Sequence, residues 1–200
     1  MNARSPGEPV ADQDRKKWDQ RYAAGAYADR PHPSAILADW LPRLSAGDAL
    51  DIACGAGRNA LHMARAGFRV DAVDVSAEAL ARAASAAAEA GLEVNWMQRD
   101  LDTGLPVEGP YDLIVMIRYV DESLLRALPA LLRPGGVLIV EEHLTTEEPV
   151  IGPRDARFRV MPGALRAAVP DLEVLEATDT VTDDPDGRRV ALARLVARKP

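Results

Sequence analysis

The chain of 200 residues holds a single cysteine, Cys54, and that scarcity excludes an internal disulfide and a cysteine-built structural zinc site. The three histidines, His32, His62 and His143, are widely scattered, so no metal centre is expected. Long apolar runs are also missing. The longest, at residues 113–117 and 137–140, are far too short to cross a bilayer. The opening residues, with Asn2, Arg4, Ser5, Pro6 and Glu8, lack the apolar core of a signal peptide, and a cytoplasmic location with no membrane partner is the expectation. A basic excess is absent too. Twenty-four Lys and Arg stand against 31 Asp and Glu, a net charge of -7, so the molecular field repels nucleic acid and small molecules are the expected substrates. No internal repeat is visible, and nothing in the residues specifies an oligomeric state.

What is present is ordinary globular composition, 48% hydrophobic and 28% charged, enough for one domain with a proper core. Residues 1–11, with Pro6, Gly7 and Pro9 and little apolar pattern, read as a mobile arm. Residues 12–46 read as a helical cap: one helix from Asp12 that sets Trp18, Arg21 and Tyr22 on one face, and a second, capped by Ser34, with Ile36, Leu37, Trp40 and Leu41 as its stripe. Residues 47–200 form the core. Short apolar strands at 49–53, 68–73, 92–97, 111–117 and 136–141 alternate with helices at 58–66, 76–90 and 122–132. A polar loop at 145–159, a short helix at 162–169 and a closing antiparallel hairpin at 172–177 and 189–197 follow. The expected fold is α/β: a doubly wound, mostly parallel, Rossmann-like sheet of about seven strands, ligand-binding at the carboxyl ends of its strands.

The organising stretch is Asp51-Ile52-Ala53-Cys54-Gly55-Ala56-Gly57-Arg58-Asn59, a strand running into a glycine turn and then a helix. Gly55 and Gly57 let the backbone turn tightly and let a ligand approach without meeting a Cβ, and the helix start offers free N–H groups to an anion. Asp74 lies 19 residues after Gly55 at the end of the second strand, the offset at which a carboxylate reaches a ribose hydroxyl pair. With Ala60 as the third small residue, Gly55, Gly57 and Ala60 also satisfy the relaxed dinucleotide pattern, so an NAD-dependent oxidoreductase stays open.

Asp51 before the glycines, Asp74, Asp100 after the third strand, and the Arg133-Pro134-Gly135-Gly136 turn together resemble the class I S-adenosylmethionine-dependent methyltransferases. More narrowly, Trp18 with Arg21-Tyr22, Gly57-Arg58-Asn59-Ala60 and Arg118-Tyr119 are similar to the small bacterial tellurite-resistance and thiopurine types. The sequence departs from the family at Ala53, where the first glycine usually stands. The resemblance implies S-adenosyl-L-methionine as cofactor, bound by Trp18, Arg21, Tyr22, Asp51, Ala53, Gly55, Gly57, Asn59, Asp74, Val75, Asp100, Leu101 and Ile117, with Asp74 on the ribose and Asp100-Leu101 on the adenine edge. It implies a small-molecule methyl acceptor, a soft sulfur, selenium or tellurium nucleophile or an oxygen nucleophile, beside Arg118, Tyr119 and His143. Arg118 is a candidate to hold an anionic acceptor or to pair with Asp121 or Glu122, and His143 a candidate base or a rim residue. Residues 117–120 lack the tetrapeptide by which many amino-group methyltransferases hold a planar nitrogen, which argues against adenine-in-DNA and glutamine acceptors. A non-catalytic S-adenosylmethionine-binding module is the remaining alternative.

Overall fold

The computed structural model describes residues 10–27 and 30–200. The arm expected at residues 1–11 lies outside the described residues up to residue 9. Helix α1, Val10–Ala23, starts two residues ahead of the expected Asp12. Helix α2, Ala35–Trp40, is shorter than its apolar stripe implied, and the chain continues as a 3-10 turn over Leu41–Arg43 because Pro42 has no N–H to give an α-helical ladder. Ser34 holds the N-cap position but its hydroxyl makes no cap; instead its backbone N–H donates to Asn59 Oδ1 at 2.9 Å.

Seven strands, β1 (Asp48–Ile52), β2 (Arg69–Asp74), β3 (Asn95–Gln98), β4 (Tyr111–Ile117), β5 (Leu132–His143), β6 (Glu173–Asp183) and β7 (Arg189–Arg198), form one sheet in the order β3-β2-β1-β4-β5-β7-β6. The first five pair in parallel, and β7 runs antiparallel between β5 and β6, the expected closing hairpin. Helices α3 (Arg58–Arg65), α4 (Ala77–Glu89), α5 (Glu122–Ala127) and α6 (Ala164–Ala168) provide the crossovers. Alternate strand residues serve opposite faces. Leu113, Val115, Val137 and Ile139 meet Ile36, Leu37, Ala60 and Met63 of α2 and α3, whereas Ile114, Met116, Leu138 and Val140 meet Leu125 of α5, Leu128 and Leu165 of α6. Ser76 caps α4 as expected, its Oγ accepting from the Ala79 N–H at 3.1 Å.

Several boundaries differ from the sequence reading; β6 runs on to Asp183 rather than stopping at residue 177, and three others bear on the site. Strand β3 begins at Asn95, since Gly91 and Leu92 close the preceding helix: the Leu92 N–H donates to Ala87 O. Helix α5 stops at Ala127 and tightens to a 3-10 turn over Leu128–Leu131, where Pro129 sits. The segment Arg133-Pro134-Gly135-Gly136 does not precede β5 but bulges within it: Tyr111 pairs with Leu132, yet Leu113 pairs with Val137. The bulge aims Arg133 at the amino-terminal end of the sheet, where Nη2 donates to Asp48 at 2.8 Å and Nη1 to Asp112. That turn therefore clamps the end of the sheet remote from any ligand. The opposite end carries the crevice: β1 lies between β2 and β4, so its connections leave in opposite directions and open a gap at the carboxyl ends of β1 and β4.

Candidate active site

Strand β1 delivers Asp51 and then breaks into the turn. Asp51 is 1% exposed, one of its carboxylate oxygens accepts from the Ala60 N–H of α3, and Oδ2 has no hydrogen-bond partner among the described residues. Burial pushes this carboxyl up to about 7, offset in part by the Ala60 bond and by Arg58. The next residues adopt left-handed backbone: Ala53 at φ 53°, Gly55 at 55° and Gly57 at 80°. Ala53 thus takes the conformation a glycine would adopt freely, at a cost of about 1–2 kcal/mol. Gly57 has a second reason to be glycine, because a Cβ there would lie 2.7 Å from the Trp96 ring and 2.9 Å from Ala83 Cβ.

Asp74, at the end of β2, closes the turn. Its Oδ2 accepts from the Gly55 N–H at 2.7 Å and its Oδ1 from the Ser76 N–H at 2.9 Å. Burial raises its pKa, opposed by these backbone donors. Val75 continues from it, half-buried, its carbonyl accepting from Gln98. Asp100 follows β3, with Oδ1 taken by the Asp102 N–H at 3.0 Å and Oδ2 buried without a partner. Leu101 is buried in the adjoining core with Ala53 packed against the same cluster, and Ile117 is buried at the end of β4.

Helix α1 closes over this group. Tyr22 is 8% exposed and its phenol reaches the turn, 2.4 Å from where a Gly55 Cβ would stand. Asp19 fastens the helix to the start of α4, accepting from Ser76 Oγ at 2.6 Å. Trp18 lies 6.2 Å from the Tyr22 ring, and Arg21 stacks over Trp18 at 4.7 Å while donating to Tyr27 at 3.2 Å. Asn59 does not reach the crevice by its carboxamide oxygen, which is committed to Ser34 and ties α3 to the cap.

At the carboxyl ends of β4 and β5 the geometry reassigns the expected acceptor residues. Arg118 sits at φ 62°, strained for a side-chain-bearing residue, held by its N–H to Glu141 O at 2.7 Å. Its partner is neither Asp121 nor Glu122: Nε donates to Glu141 at 3.0 Å and Nη1 contacts His143 Nε2 at 3.0 Å. An arginine can only donate, so His143 Nε2 is the acceptor and the ring is neutral. Burial, followed by the charges of Arg118 and Arg159, pushes His143 down to about 3. In this arrangement the Nε2 of His143, the candidate base, is taken up by Arg118. Tyr119 presents its backbone N–H to Glu142 at 3.0 Å, and burial together with Asp121, Asp102 and Asp100 raises its phenol, placing it toward the donor side of the crevice.

The sequence reading missed Glu141 and Glu142, both 1% exposed. Glu141 is bracketed by Arg118 at 3.0 Å and Arg194 at 2.8 Å, whereas Glu142, on the opposite face, has an unpartnered Oε2 and a pKa raised by burial. Two consecutive carboxylates ending an apolar strand were the available signal, since alternation buries one on each face.

Residues 49–136 match the family model described as a methyltransferase domain. Over 97 residues the chain is 39% identical to a ubiquinone biosynthesis O-methyltransferase of Caulobacter sp., covering 46% of this chain and 38% of that one, so it spans well under half the length of that relative. Its fold is similar to TehB from Haemophilus influenzae, with a TM-score of 0.74 and 22% identity over 91% of this chain and 67% of that one. It is equally similar to the [4+2]-cyclase SpnF, at 0.74 and 20% over 98% of each, so this architecture serves more than one chemistry. The match to the model described as a methyltransferase domain lies on the segment that builds the crevice, from β1 through Asp74 and Asp100 to β5.

Proposed function

We propose that the protein transfers a methyl group from S-adenosyl-L-methionine to a small-molecule acceptor. The observation that carries this reading is the turn itself: Asp51 and Asp74, both buried, flank a left-handed backbone run, and among the described residues Asp51 keeps an oxygen without a hydrogen-bond partner. These residues fit the donor. Its cationic amino group would satisfy Asp51 Oδ2, its ribose the carboxylate of Asp74, and its adenine the side of Asp100 and Leu101. When bound, the cofactor supplies a methyl carbon activated by its sulfonium; the acceptor's lone pair forms the new bond, the carbon–sulfur pair stays on sulfur, and any acceptor proton leaves to solvent.

The chain's own contribution is alignment and exclusion of water, worth on the order of 7–11 kcal/mol when a near-attack geometry is held. Tyr22, Trp18 and Arg21 cover the donor; Ile117 and Arg118 at the end of β4 set where the acceptor lies. His143 is neutral and engaged by Arg118 through Nε2, so it is not placed to take an acceptor's proton. This favours an acceptor already deprotonated, or nearly so, at neutral pH, such as a thiol or an acidic phenol, over an alcohol. The net charge of -7 supports a small acceptor over nucleic acid, and among the described residues no helix is long and apolar enough to cross a membrane, in keeping with a cytoplasmic site of action.

Calorimetry with S-adenosylhomocysteine and NADH tests the reading. S-adenosylhomocysteine should bind and NADH should not; binding of NADH alone would return the oxidoreductase alternative. Tight S-adenosylhomocysteine binding with no methyl transfer to thiols, selenols, phenols or amines would favour the non-catalytic module.

A further inference from the structure

Beside the acidic donor turn the crevice changes sign. Arg30 from the cap, Arg58 from the start of α3, Arg118 from the end of β4 and Arg194 from β7 gather near Glu141 and Asp186. Glu141 is shared by Arg118 and Arg194, and Asp186 faces Arg30 at 3.7 Å. Arg58 makes no ion pair among the described residues and spends one donor on the His32 carbonyl. Asp184, the next carboxylate, is occupied by the Asp186 and Arg188 N–H groups of the hairpin turn. Guanidinium groups thus outnumber the carboxylates that answer them, in a place where Arg30 and Arg118 retain only about a sixth of their side-chain exposure, 15% and 16%.

The donors left over are specific. Arg118 commits two of its N–H groups, one to Glu141 and one to His143, which leaves three of the guanidinium's five. Arg30 Nε is buried and, although it faces Asp186 at 3.7 Å, makes no hydrogen bond among the described residues. Burial, then the nearby positive charge of Arg118, lowers the pKa of Arg58, and Arg30 adds to the same effect. Cations crowded in this way are relieved by an anion. Arg118 reaches this position only through its left-handed backbone, and Glu141 and His143 fix its orientation, the pattern of a side chain held for a ligand rather than left to solvate.

We infer that Arg118 and Arg30, with Arg58 beside them, form a specificity site for an anionic oxygen group, such as a carboxylate, borne by the methyl acceptor. The inference rests on the methyltransferase reading and deepens it: the donor side of the crevice is acidic and suits a cationic cofactor, whereas this side is basic and suits an acidic acceptor. Arg118 and Arg30 are specificity residues, and His143 is a positioning residue acting through Arg118.

Matched acid and amide probes test it. 4-Hydroxybenzoate against 4-hydroxybenzamide, and 3-mercaptobenzoate against 3-mercaptobenzamide, are titrated into the full chain with and without saturating S-adenosylhomocysteine, and their methylation is followed with S-adenosylmethionine. Each acid should bind about tenfold or more tightly than its amide, the range of a charge-assisted contact. Arg118→Gln and Arg30→Gln should each shrink that ratio severalfold, while His143→Gln, which can still accept from Arg118, should largely preserve it. Inorganic phosphate should compete with the acids and not with the amides. Equal affinity of acid and amide in the unmodified protein, a ratio unchanged in Arg118→Gln, or no measurable binding of either acid overturns the inference even where S-adenosylhomocysteine binds. A selective loss of S-adenosylhomocysteine affinity in both arginine variants, with the acid–amide ratio intact, also overturns it by assigning the cluster to the donor. Failure of S-adenosylhomocysteine to bind refutes the function proposed above, and the acid–amide ratio measured without it still decides the anion site.

Discussion

Replacing Asp51 by asparagine isolates the most consequential buried charge in the crevice. In the folded chain burial raises this carboxyl from 3.8 to about 7. Below about pH 4 it is protonated whether the chain is folded or not. Between about pH 4 and 7 the folded state binds the extra proton, so stability falls as pH rises through that window and stays low above it. The shift spans roughly three pH units at 1.36 kcal/mol each, so the full effect is on the order of 4 kcal/mol.

Asparagine has the same shape, retains an oxygen for the Ala60 N–H and does not titrate. The difference in unfolding free energy between Asp51→Asn and the unmodified chain should therefore grow in favour of the variant by about 1.4 kcal/mol per pH unit from about pH 4 to 7, then level off. Glu142, also raised by burial, gives a slope of the same sign in both proteins and cancels in the difference, whereas Asp74, which repels Asp51, contributes to it. Urea unfolding at pH steps from 4.5 to about 8.5, with m-values checked for constancy, reads it directly. A difference that does not change with pH refutes the assignment of Asp51 as the proton-holding group. Cofactor binding gives a second reading: if an ammonium occupies Oδ2, binding near pH 6.5 should release a proton, visible as a buffer-dependent calorimetric enthalpy that vanishes in Asp51→Asn.

Asp74→Asn turns an acceptor for the Gly55 N–H into a donor or breaks the Ser76 bond, and should weaken S-adenosylhomocysteine affinity about tenfold or more by calorimetry; unchanged affinity would exclude Asp74 from the donor site. Gly57→Ala must hold φ 80° and push its Cβ against Trp96 and Ala83, which should lower stability by about 2–5 kcal/mol in urea unfolding. Glu141→Gln leaves Arg118 and Arg194 buried without their counter-charge and should destabilise by about 3–5 kcal/mol. Because His143 is held down to about 3, its folded form stays neutral while the unfolded ring protonates, so it withdraws stability as pH falls from about 6.5 toward 3; His143→Gln should flatten the acid limb of the stability profile in that window.

The sheet was legible because its signals are local. Strand β4 was read to the residue, and the switch from apolar strands to the 145–159 loop and closing hairpin followed from composition. The glycine turn and its link to Asp74 were equally readable, since a glycine run and an acid at a fixed offset lie within one β-α-β unit. Other features depend on partners distant in sequence. Asn59 sits next to the glycines, yet its carboxamide oxygen is drawn to a backbone N–H 25 residues away. Arg118 has acidic neighbours within four residues, but its positive φ turns it to Glu141 and His143. The Arg133-Pro134-Gly135-Gly136 segment was grouped with the donor motifs because its spacing fits; tertiary pairing with Asp48 and Asp112 makes it a clamp at the other end of the sheet. Spacing reports which residues share an element, and the long-range ion pairs decide what they do.

The two ends of the sheet divide polar satisfaction unequally, and that division locates function without reference to any family. At the amino-terminal end Arg133 and Arg69 answer Asp48, Arg133 also answers Asp112, and Lys199 donates to the carbonyls of Pro129 and Leu132. Among the described residues, the buried side-chain atoms left without a hydrogen-bond partner, on Arg30, Ser34, Asp51, Asp100, Glu142 and His143, belong to the cap, to the carboxyl-terminal parts of β1 and β5, or to the turn after β3. An unsatisfied buried polar group costs about 1–3 kcal/mol, and a fold that meets this need so fully at one end has no structural reason to neglect it at the other. The neglected end is where the backbone also departs from ordinary conformations, at Ala53 and Arg118. Carboxylate oxygens left open on one side and guanidinium donors on the other are the groups that the proposed cationic donor, over β1 and β2, and the proposed anionic acceptor, over β4 and β5, would answer.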